Sequence, residues 1–510
     1  MSPFRLHSFR LLWALLLVPV TAAGAHAPAA PRSATTPPPP PPSASVVELR
    51  RDLQEILRAP GWDARFGVIV VSLERGDTLF SLNPDLPLAP ASNLKLYSTA
   101  AALYYLGPRY RFSTLLLADG PIHDGVLHGD LVLYGTGDPT LSGRMLGSAE
   151  APLMAMVDSL VALGVREVSG DVVGDGSYFD SEWTGPGWAA SDLEAWYGAP
   201  IGALDWAENL VTLRIAPGEP GEPARITTRP ETRGLALENR VTTVRNSPTR
   251  VRITRAQDRL VVEGQVRRGR PATRTLPVVD PANYAAAGLR AVLESKGVRV
   301  RGRVRSVGDP SRSSFPIPSG FRAATPPRIV AAHLSPTLAD IISVTNHVSH
   351  NLFADALLKA AGRTAVGEGS FPAGGSAVRA LIGLQSPADT FPLRQVDGSG
   401  LSHLDRVTAR ATVGLLDFMR RSDVADAYAA SLPEAGNPLG LHRMYDTPAA
   451  GNLRAKTGTI HGVSSLSGYV TSADGERLAF SILANGVPST PREKRSEDAI
   501  GARLARFTRE

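Results

Sequence analysis

Two short stretches decide the interpretation of this chain: Ser92-Asn93-Leu94-Lys95 and Lys456-Thr457-Gly458. The chain carries 54 lysine and arginine residues, and only five of them are lysine. Where the sequence needs a surface cation it therefore nearly always uses arginine. A lysine amine can lose its proton when it is buried or lies beside another cation, whereas a guanidinium stays charged. Lysine at positions 95 and 456 therefore indicates a task that arginine cannot perform.

Ser92 and Lys95 have the spacing of a nucleophile and its base. A helix is predicted to open at Ser92, and residues three apart share one helix face. A serine hydroxyl is a poor nucleophile until a base takes its proton. A solvated lysine, with a pKa near ~10.4, would be protonated at neutral pH. Burial and a second cation, for which Lys456 is the candidate, both favour the neutral amine. Alone, the pattern is equally explained by an N-cap serine.

The Lys-Thr-Gly stretch falls on a predicted edge strand, Arg454–Ile460. Taken alone, it could simply be a charged residue on a sheet edge. A third pattern, Ser349-His350-Asn351, lies between two apolar helices, and the alternative there is an N-cap at Asn351. In the catalytic interpretation Ser349 relays a proton between Lys95 and a leaving nitrogen, and Asn351 holds a substrate amide and the Lys95 amine. The three patterns together, in this order, favour a catalytic site.

Composition limits the function classes. A length of 510 residues predicts two or three domains, and 43% hydrophobic with 20% charged residues is typical of globular proteins. The net charge of +6 is small for this length, so nucleic-acid binding is not expected and weak attraction to an anionic cell-wall polymer is equally compatible. The absence of cysteine excludes disulfides, zinc-thiolate sites and a thiol nucleophile. No metal-ligand set or cofactor motif is recognised, so neither a metal nor a cofactor is expected.

The amino terminus resembles an export signal. Residues 1–27 combine a basic start, the apolar run Leu11–Val20 and small residues at two candidate cleavage sites, which predicts a signal peptide. An uncleaved anchor is the alternative. Residues 28–45, with six consecutive prolines, predict an extended linker. The protein is therefore expected in the periplasm or cell-wall space, with peripheral membrane association left open and the oligomeric state undetermined.

The folded part is predicted to be a mixed α/β unit split around an insertion. The pattern assigns residues 46–108 to its first half, 109–319 to a β-rich insertion with a nested subdomain at about 211–278, and 320–510 to its second half. The first half supplies Ser92 and the second supplies Lys456. The helices predicted around the motifs are Val47–Leu57, Leu338–Val348 and Leu352–Ala361, and the strands are Arg65–Leu73, Thr78–Leu82, Asn452–Ile460, Ser464–Thr471 and Arg477–Ala484.

From Val46 onward the chain resembles the low-molecular-mass class C penicillin-binding proteins, which are D-alanyl-D-alanine carboxypeptidases and endopeptidases. The resemblance rests on Ser-x-x-Lys, Ser-x-Asn and Lys-Thr-Gly in that order, and on the long separation of Ser92 from Ser349, which compact β-lactamases lack. Further matches are Gly135-Thr136-Gly137-Asp138-Pro139-Thr140, Gly198-Ala199-Pro200-Ile201, Asp397-Gly398-Ser399-Gly400-Leu401-Ser402 and Arg454-Ala455-Lys456-Thr457-Gly458-Thr459.

The resemblance implies a β-lactamase/transpeptidase-like domain, with an antiparallel sheet flanked by helices, interrupted by a β-rich two-domain insertion. It also implies that Lys456 and Thr457 hold a substrate carboxylate and that Gly458 leaves room for a substrate along the strand. The backbone N–H groups of Ser92 and Thr459 would form an oxyanion hole.

Two further positions follow from the resemblance. Asp192 falls where the family places an acid of the insertion near a pocket for the peptide side chain; a surface-loop aspartate is the alternative. His350 replaces the more usual Asp or Asn, and its side chain is not expected to do chemistry.

The implied function is a serine DD-peptidase that cleaves D-Ala-D-Ala, and D-Ala–diaminopimelate cross-links, in peptidoglycan stem peptides through an acyl-serine. β-Lactams would act as inhibitors. The alternatives are a serine β-lactamase or esterase and a catalytically silent cell-wall-binding protein.

Overall fold

The computed structural model describes residues 43–61, 63–231, 236–256, 259–315, 327–385 and 392–509. The predicted signal peptide and linker, up to residue 42, lie outside these residues. Within the described ranges no helix combines the length and apolarity that a bilayer crossing requires.

The helices and strands follow the chain in this order. The helices are α1 Ala44–Arg58, α2 Lys95–Leu106, α3 Gly143–Leu146, α4 Glu150–Ala162, α5 Pro281–Ser295, α6 Leu338–His347, α7 Asn351–Val366, α8 Phe371–Gly383, α9 Ala409–Arg421, α10 Ala425–Ala430 and α11 Thr490–Ala505. The strands are β1 Arg65–Ser72, β2 Thr78–Leu82, β3 Ser113–Asp119, β4 Ile122–His123, β5 Val126–Leu127, β6 Asp130–Gly135, β7 Glu167–Val168, β8 Val172–Asp175, β9 Leu210–Ala216, β10 Arg225–Arg229, β11 Ala236–Val244, β12 Arg250–Ala256, β13 Arg259–Arg267, β14 Ala272–Pro277, β15 Arg299–Val300, β16 Val304–Val307, β17 Arg328–Leu334, β18 Arg454–Ile460, β19 Val463–Thr471 and β20 Arg477–Asn485.

A five-stranded antiparallel sheet joins the two ends of the chain. Its strand order is β18-β19-β20-β1-β2, so the carboxy-terminal hairpins pair directly with the amino-terminal one. The turn Ala473-Asp474-Gly475 between β19 and β20 fits the hairpin signal in the sequence. The predicted fold class, a mixed α/β unit with an antiparallel sheet flanked by helices, is confirmed.

Alternation of side chains along the strands builds a core on each face of this sheet. On β20, Ala479 and Leu483 belong to the core shared with helices α2, α6, α7 and α9, whereas Phe480 and Ile482 belong to the core under α1 and α11. Successive strand residues point to opposite faces, so both faces require a helical cover. The first of these two cores carries the motif residues on its border.

Between β2 and α6 the chain forms further sheets. One has the order β16-β8-β6-β3-β17, and two three-stranded sheets, β10-β9-β14 and β11-β13-β12, come from residues 210–277, within about a residue of the predicted nested subdomain. Strand β17 pairs with β3, so the inserted sheets extend to Leu334, beyond the boundary predicted at residue 319. That predicted boundary itself falls among residues outside the described ranges.

Candidate active site

Three separate elements bring the three sequence patterns together. Ser92 lies in a 3-10 turn, Ala91–Leu94, and Lys95 is the first residue of α2. Lys456 lies on β18, and Ser349 and Asn351 lie where α6 ends and α7 begins. The structure thus places all the predicted catalytic residues around one point.

Lys95 is fully buried and contacts three oxygens. Its Nζ lies 3.0 Å from Ser92 Oγ. It donates to Asn351 Oδ1 at 2.8 Å and to the Ser399 carbonyl oxygen at 2.7 Å. Ser92 itself is half-buried, so its hydroxyl is within reach of a substrate. A neutral amine has two N–H bonds and one lone pair; the two carbonyl-type acceptors take the N–H bonds, and the remaining direction faces the Ser92 hydroxyl.

Burial and two nearby acids have opposite effects on the protonation of Lys95. Burial lowers the pKa of Lys95 to about 8, against the opposing charges of Asp355 and Asp397. Burial raises the pKa of Asp355 well above its usual range, and repulsion from Asp397 raises it further. A substantial fraction of neutral Lys95 at neutral pH is therefore expected from its surroundings alone.

Lys456 is almost as deeply buried as Lys95. Its Nζ donates to Ser349 Oγ at 3.0 Å and to the Thr457 carbonyl oxygen at 2.9 Å. Burial and then the charge of Lys95 lower the pKa of Lys456 well below its usual range. The sequence suggested that Lys456 would depress the pKa of Lys95. Repulsion between two cations acts on both, and the charge of Lys95 lowers the pKa of Lys456. The effect of Lys456 on Lys95 stays a prediction.

Ser349 holds an unusual backbone conformation. Its φ is 57°, in the left-handed region, which costs a residue with a side chain about 1–2 kcal/mol. Asn351, two residues on, donates its Nδ2–H to the Tyr197 carbonyl oxygen at 2.9 Å while its Oδ1 faces Lys95. His350, between them, is buried and contacts Glu208. The two outward residues of this tight turn thus face the two lysines.

Strand β18 packs directly against the turn that carries Ser92. Asn93 donates its Nδ2–H to the Lys456 carbonyl oxygen at 2.9 Å. A Cβ on Gly458 would lie 2.6 Å from the Pro90 carbonyl oxygen and 3.0 Å from the Asn93 nitrogen. The missing side chain of Gly458 admits the nucleophile turn. That the glycine also leaves room for a substrate along the strand stays a prediction. β18 is the edge strand of its sheet, as predicted, with Thr457 half-buried and Thr459 exposed.

Asp192 lies in a 3-10 turn of the insertion, Asp192–Glu194, and is partly exposed. It accepts a hydrogen bond from the Ala189 N–H at 3.0 Å and lies 3.4 Å from the Tyr197 hydroxyl. Tyr197 also supplies the carbonyl that Asn351 binds. Asp192 therefore reaches the Ser349–Asn351 turn only through Tyr197, which contacts both.

Sequence reasoning missed several groups around Lys95. The stretch from Asp397 was quoted as a match to the family; in the structure it is a turn, in which the Asp397 carboxylate accepts the N–H groups of Ser399, Gly400 and Ser402. That turn directs the Ser399 carbonyl oxygen towards Lys95. Because a main-chain atom makes this contact, no residue type in the sequence indicates it. Asp355, on α7, was not singled out either. Among the described residues, no three His, Asp or Glu side chains gather in a way that could hold a metal.

Comparisons with known proteins identify the family of the chain. A profile of the D-Ala-D-Ala carboxypeptidase 3 (S13) family matches residues 49–507. A D-alanyl-D-alanine carboxypeptidase of Actinomadura sp. is 36% identical over 510 residues, covering 96% of this chain and 89% of that protein. The carboxypeptidase DacB of Haemophilus influenzae is 26% identical over 443 residues, or 85% of this chain and 88% of that one.

Solved structures give the same result. The crystal structure of penicillin binding protein 4 (dacB) from Haemophilus influenzae superposes with a TM-score of 0.73 at 25% identity, covering 90% of this chain and 98% of that one. A second structure of that protein, complexed with a β-lactam, has a TM-score of 0.67 at 23% identity over 91% of this chain and 98% of that one.

Proposed function

The chain belongs to the D-Ala-D-Ala carboxypeptidase 3 (S13) family, and from this premise we propose how its residues carry out the reaction. It is a serine-type D-Ala-D-Ala carboxypeptidase that acts on peptidoglycan. Ser92 attacks the carbonyl carbon of the D-Ala-D-Ala peptide bond. The terminal D-Ala leaves, an acyl-serine remains, and water then releases it.

Lys95 is the base that takes the Ser92 proton. The single observation that carries this role is its buried amine, 3.0 Å from Ser92 Oγ, with a pKa lowered to about 8. The bonds to Asn351 and the Ser399 carbonyl leave only the direction of Ser92 for the lone pair. Roughly one-tenth of the enzyme then holds the neutral amine at pH 7.

Lys456 and Thr457 receive the carboxylate of the substrate. Before binding, burial and the charge of Lys95 lower the pKa of Lys456, and none of the described acids offsets these two effects. An arriving carboxylate supplies the missing opposite charge and raises the pKa of Lys456. The newly charged Lys456 in turn favours the neutral form of Lys95. Binding of a free carboxylate therefore activates the base.

The remaining motif residues handle the leaving group and the developing charge. Ser349, bonded to Lys456, relays the proton from Lys95 to the leaving nitrogen. Asn351 holds the acyl-side amide of the substrate. The backbone N–H groups of Ser92 and Thr459 stabilise the oxyanion of the tetrahedral intermediate.

The same machinery extends to related reactions. Cleavage of D-Ala–diaminopimelate cross-links uses the same steps, with Asp192 in contact with the stem-peptide side chain. β-Lactams acylate Ser92 and remain attached. Since the polymer lies outside the cytoplasmic membrane, the enzyme acts in the periplasm or cell-wall space after export directed by residues 1–27.

Labelling with a fluorescent penicillin tests this proposal. The wild type should form one stable adduct, peptide mapping should place it on Ser92, and Ser92→Ala should not label. Rapid turnover of the penicillin would identify a β-lactamase or esterase. Absence of any adduct would identify a silent wall-binding protein, and an adduct on another residue would remove Ser92 from the role.

A further inference from the structure

A carboxylate of the insertion reaches into the centre of the Ser349-His350-Asn351 turn. His350 Nε2 lies 3.0 Å from Glu208 Oε2. The His350 side chain is 5% exposed and that of Glu208 is 12% exposed, so this contact is largely shielded from solvent. From the resemblance, which more usually has Asp or Asn at this position, the His350 side chain was not expected to contribute.

Glu208 is held in place by other residues of the insertion. Arg144 donates from Nε to Oε1 at 2.8 Å and from Nη2 to Oε2 at 3.1 Å, and Ser142 Oγ donates to Oε1 at 3.2 Å. Burial alone would raise the pKa of Glu208, but the hydrogen bonds from His350 and Arg144, with the positive charge of Arg144, lower it to about 2. Glu208 is thus a fixed, ionised anchor.

His350 is oriented at both ring nitrogens. Nδ1 accepts the Phe353 N–H at 3.5 Å, which caps the start of α7. Nε2 must then carry the proton that it donates to Glu208. The ring also packs on Phe353, with centroids 4.3 Å apart. Burial lowers the pKa of His350 against the pull of Glu208, so the neutral ring that makes both bonds is favoured.

The residues on either side of His350 hold the two catalytic lysines. Ser349, in its left-handed conformation, binds Lys456, and Asn351 binds Lys95. A strained backbone conformation persists only where the surroundings fix it. We infer that Glu208, through His350, is the positioning residue that fixes this turn, so that the insertion sets the alignment of Ser349 and Asn351 with the lysines.

This inference rests on the proposed function, since it assumes that Ser349 and Asn351 serve acylation. Its test is a double-mutant cycle with Glu208→Ala, His350→Asn and the double variant. Asn at position 350 can still cap α7 but cannot reach Glu208. The measurement is acylation by a fluorescent penicillin, resolved into the saturating rate constant and the dissociation constant of the initial complex, with the melting temperature recorded alongside.

Glu208→Ala should lower the saturating rate constant about tenfold, within the usual coupling range for residues in contact, and leave the dissociation constant within about threefold. The double variant should be no slower than His350→Asn alone. Additive losses in the double variant would overturn the inference, because a structural role of Glu208 within the insertion persists in either background.

Two further variants keep the result decisive. Glu167→Ala is the matched control: Glu167 is 13% exposed, binds two arginines of the insertion where Glu208 binds one, and does not contact the motif turn. Its acylation rate should not change.

If Glu208→Ala fails to fold, Glu208→Gln should show the same loss, because its amide would present a donor to the His350 N–H. Labelling that survives Ser92→Ala would refute the proposed function, whereas an additive cycle with intact Ser92 labelling refutes only this inference.

Discussion

At the scale of single residues, the site places two lysines in unequal surroundings. Burial lowers the pKa of Lys95 to about 8 against the charges of two acids, whereas no described acid opposes burial at Lys456, whose pKa is lowered well below its usual range. Two buried cations repel each other, so protonation of one lysine disfavours protonation of the other. An added negative charge reduces this repulsion. The substrate carboxylate has that charge. Three predictions concern these residues directly.

Lys95→Arg should abolish acylation although it preserves the positive charge. A guanidinium cannot accept the Ser92 proton, because it stays protonated at any accessible pH. Acylation by penicillin, followed by stopped-flow or gel labelling, should fall far more than tenfold. A variant that reacts within about tenfold of the wild type, roughly 1.4 kcal/mol of barrier, would remove Lys95 from the role of base.

The acylation rate should follow the titration of Lys95. The base works only when neutral, and it is neutral above its pKa, so the rate should rise from pH 6 to about 8 and then level off. Asp355→Asn keeps an acceptor for the Gly398 N–H but removes an acid that, in its ionised form, retains the proton on Lys95. The rise should therefore move to lower pH in that variant. A shift to higher pH would contradict this account.

Lys456→Ala should erase discrimination between a free acid and an amide. In the wild type, a substrate ending in D-alanyl amide should react much more slowly than one ending in D-alanine, because it brings no charge to Lys456. In the variant the two substrates should react nearly alike. The measurement is release of the terminal residue from both peptides, and an undiminished preference for the acid would show that the carboxylate is bound elsewhere.

At the scale of elements, the site depends on how closely one strand approaches one turn. β18 can lie directly against the turn Ala91–Leu94 because Gly458 has no side chain. In addition, Ser465 on β19 donates to the Pro90 carbonyl oxygen at 2.7 Å. The strand could be predicted from its alternation. The Ser-x-x-Lys spacing predicted a helix opening at Ser92, whereas the structure has a 3-10 turn there and begins α2 at Lys95. The reason for the glycine could not be predicted, since it depends on two elements hundreds of residues apart.

Gly458→Ala should separate these elements. Its Cβ would collide with backbone atoms of Pro90 and Asn93, which cannot move as a flexible side chain can. Overpacking of this kind costs about 1–3 kcal/mol and would displace Ser92 from Lys456. Both the melting temperature and the acylation rate should fall. Gly176→Ala, whose Cβ would meet only ordinary contacts, the nearest at 3.5 Å, is the control and should change neither.

Helix prediction shows where local patterns fail. Helices α6 and α7 were predicted with boundaries within a few residues, because their apolar spacing is regular. α8 was not, since its sequence contains Pro372 and the pair Gly374-Gly375, which weaken helix propensity. Those glycines instead permit close packing: a Cβ on Gly374 would lie 2.5 Å from Leu358 Cγ on α7. Tertiary packing therefore overrides the local preference.

At the scale of the whole molecule, the insertion is tied to the site at several points. Trp188 donates to Asp397 at 2.8 Å, and the Tyr197 carbonyl receives Asn351. The sequence predicted an inserted region from its short strands and turns, but not these contacts, which depend on residues far apart in the chain meeting in the fold. The predicted division into domains remains a prediction. The position of Asp192 beside Tyr197 makes the insertion a candidate for substrate selection.

Asp192→Asn should change which peptide the enzyme prefers. Meso-diaminopimelate carries a free ammonium that a partly exposed carboxylate at position 192 would attract. Because solvent screens such a pair, the effect should be modest, about 1 kcal/mol, or several-fold in rate. Hydrolysis of a diaminopimelate-containing peptide should slow by that factor, while acylation by a small penicillin without an amine should stay nearly unchanged.

The matched control for that variant is Glu194→Gln, because Glu194 is an exposed acid of the same short turn. If general negative charge near the site attracted the peptide, both variants would slow its hydrolysis equally. A specific contact predicts a loss only for Asp192→Asn. Equal losses on peptide and penicillin would instead mean that Asp192 supports Tyr197, and through its carbonyl Asn351, so the side-chain pocket would have to lie elsewhere.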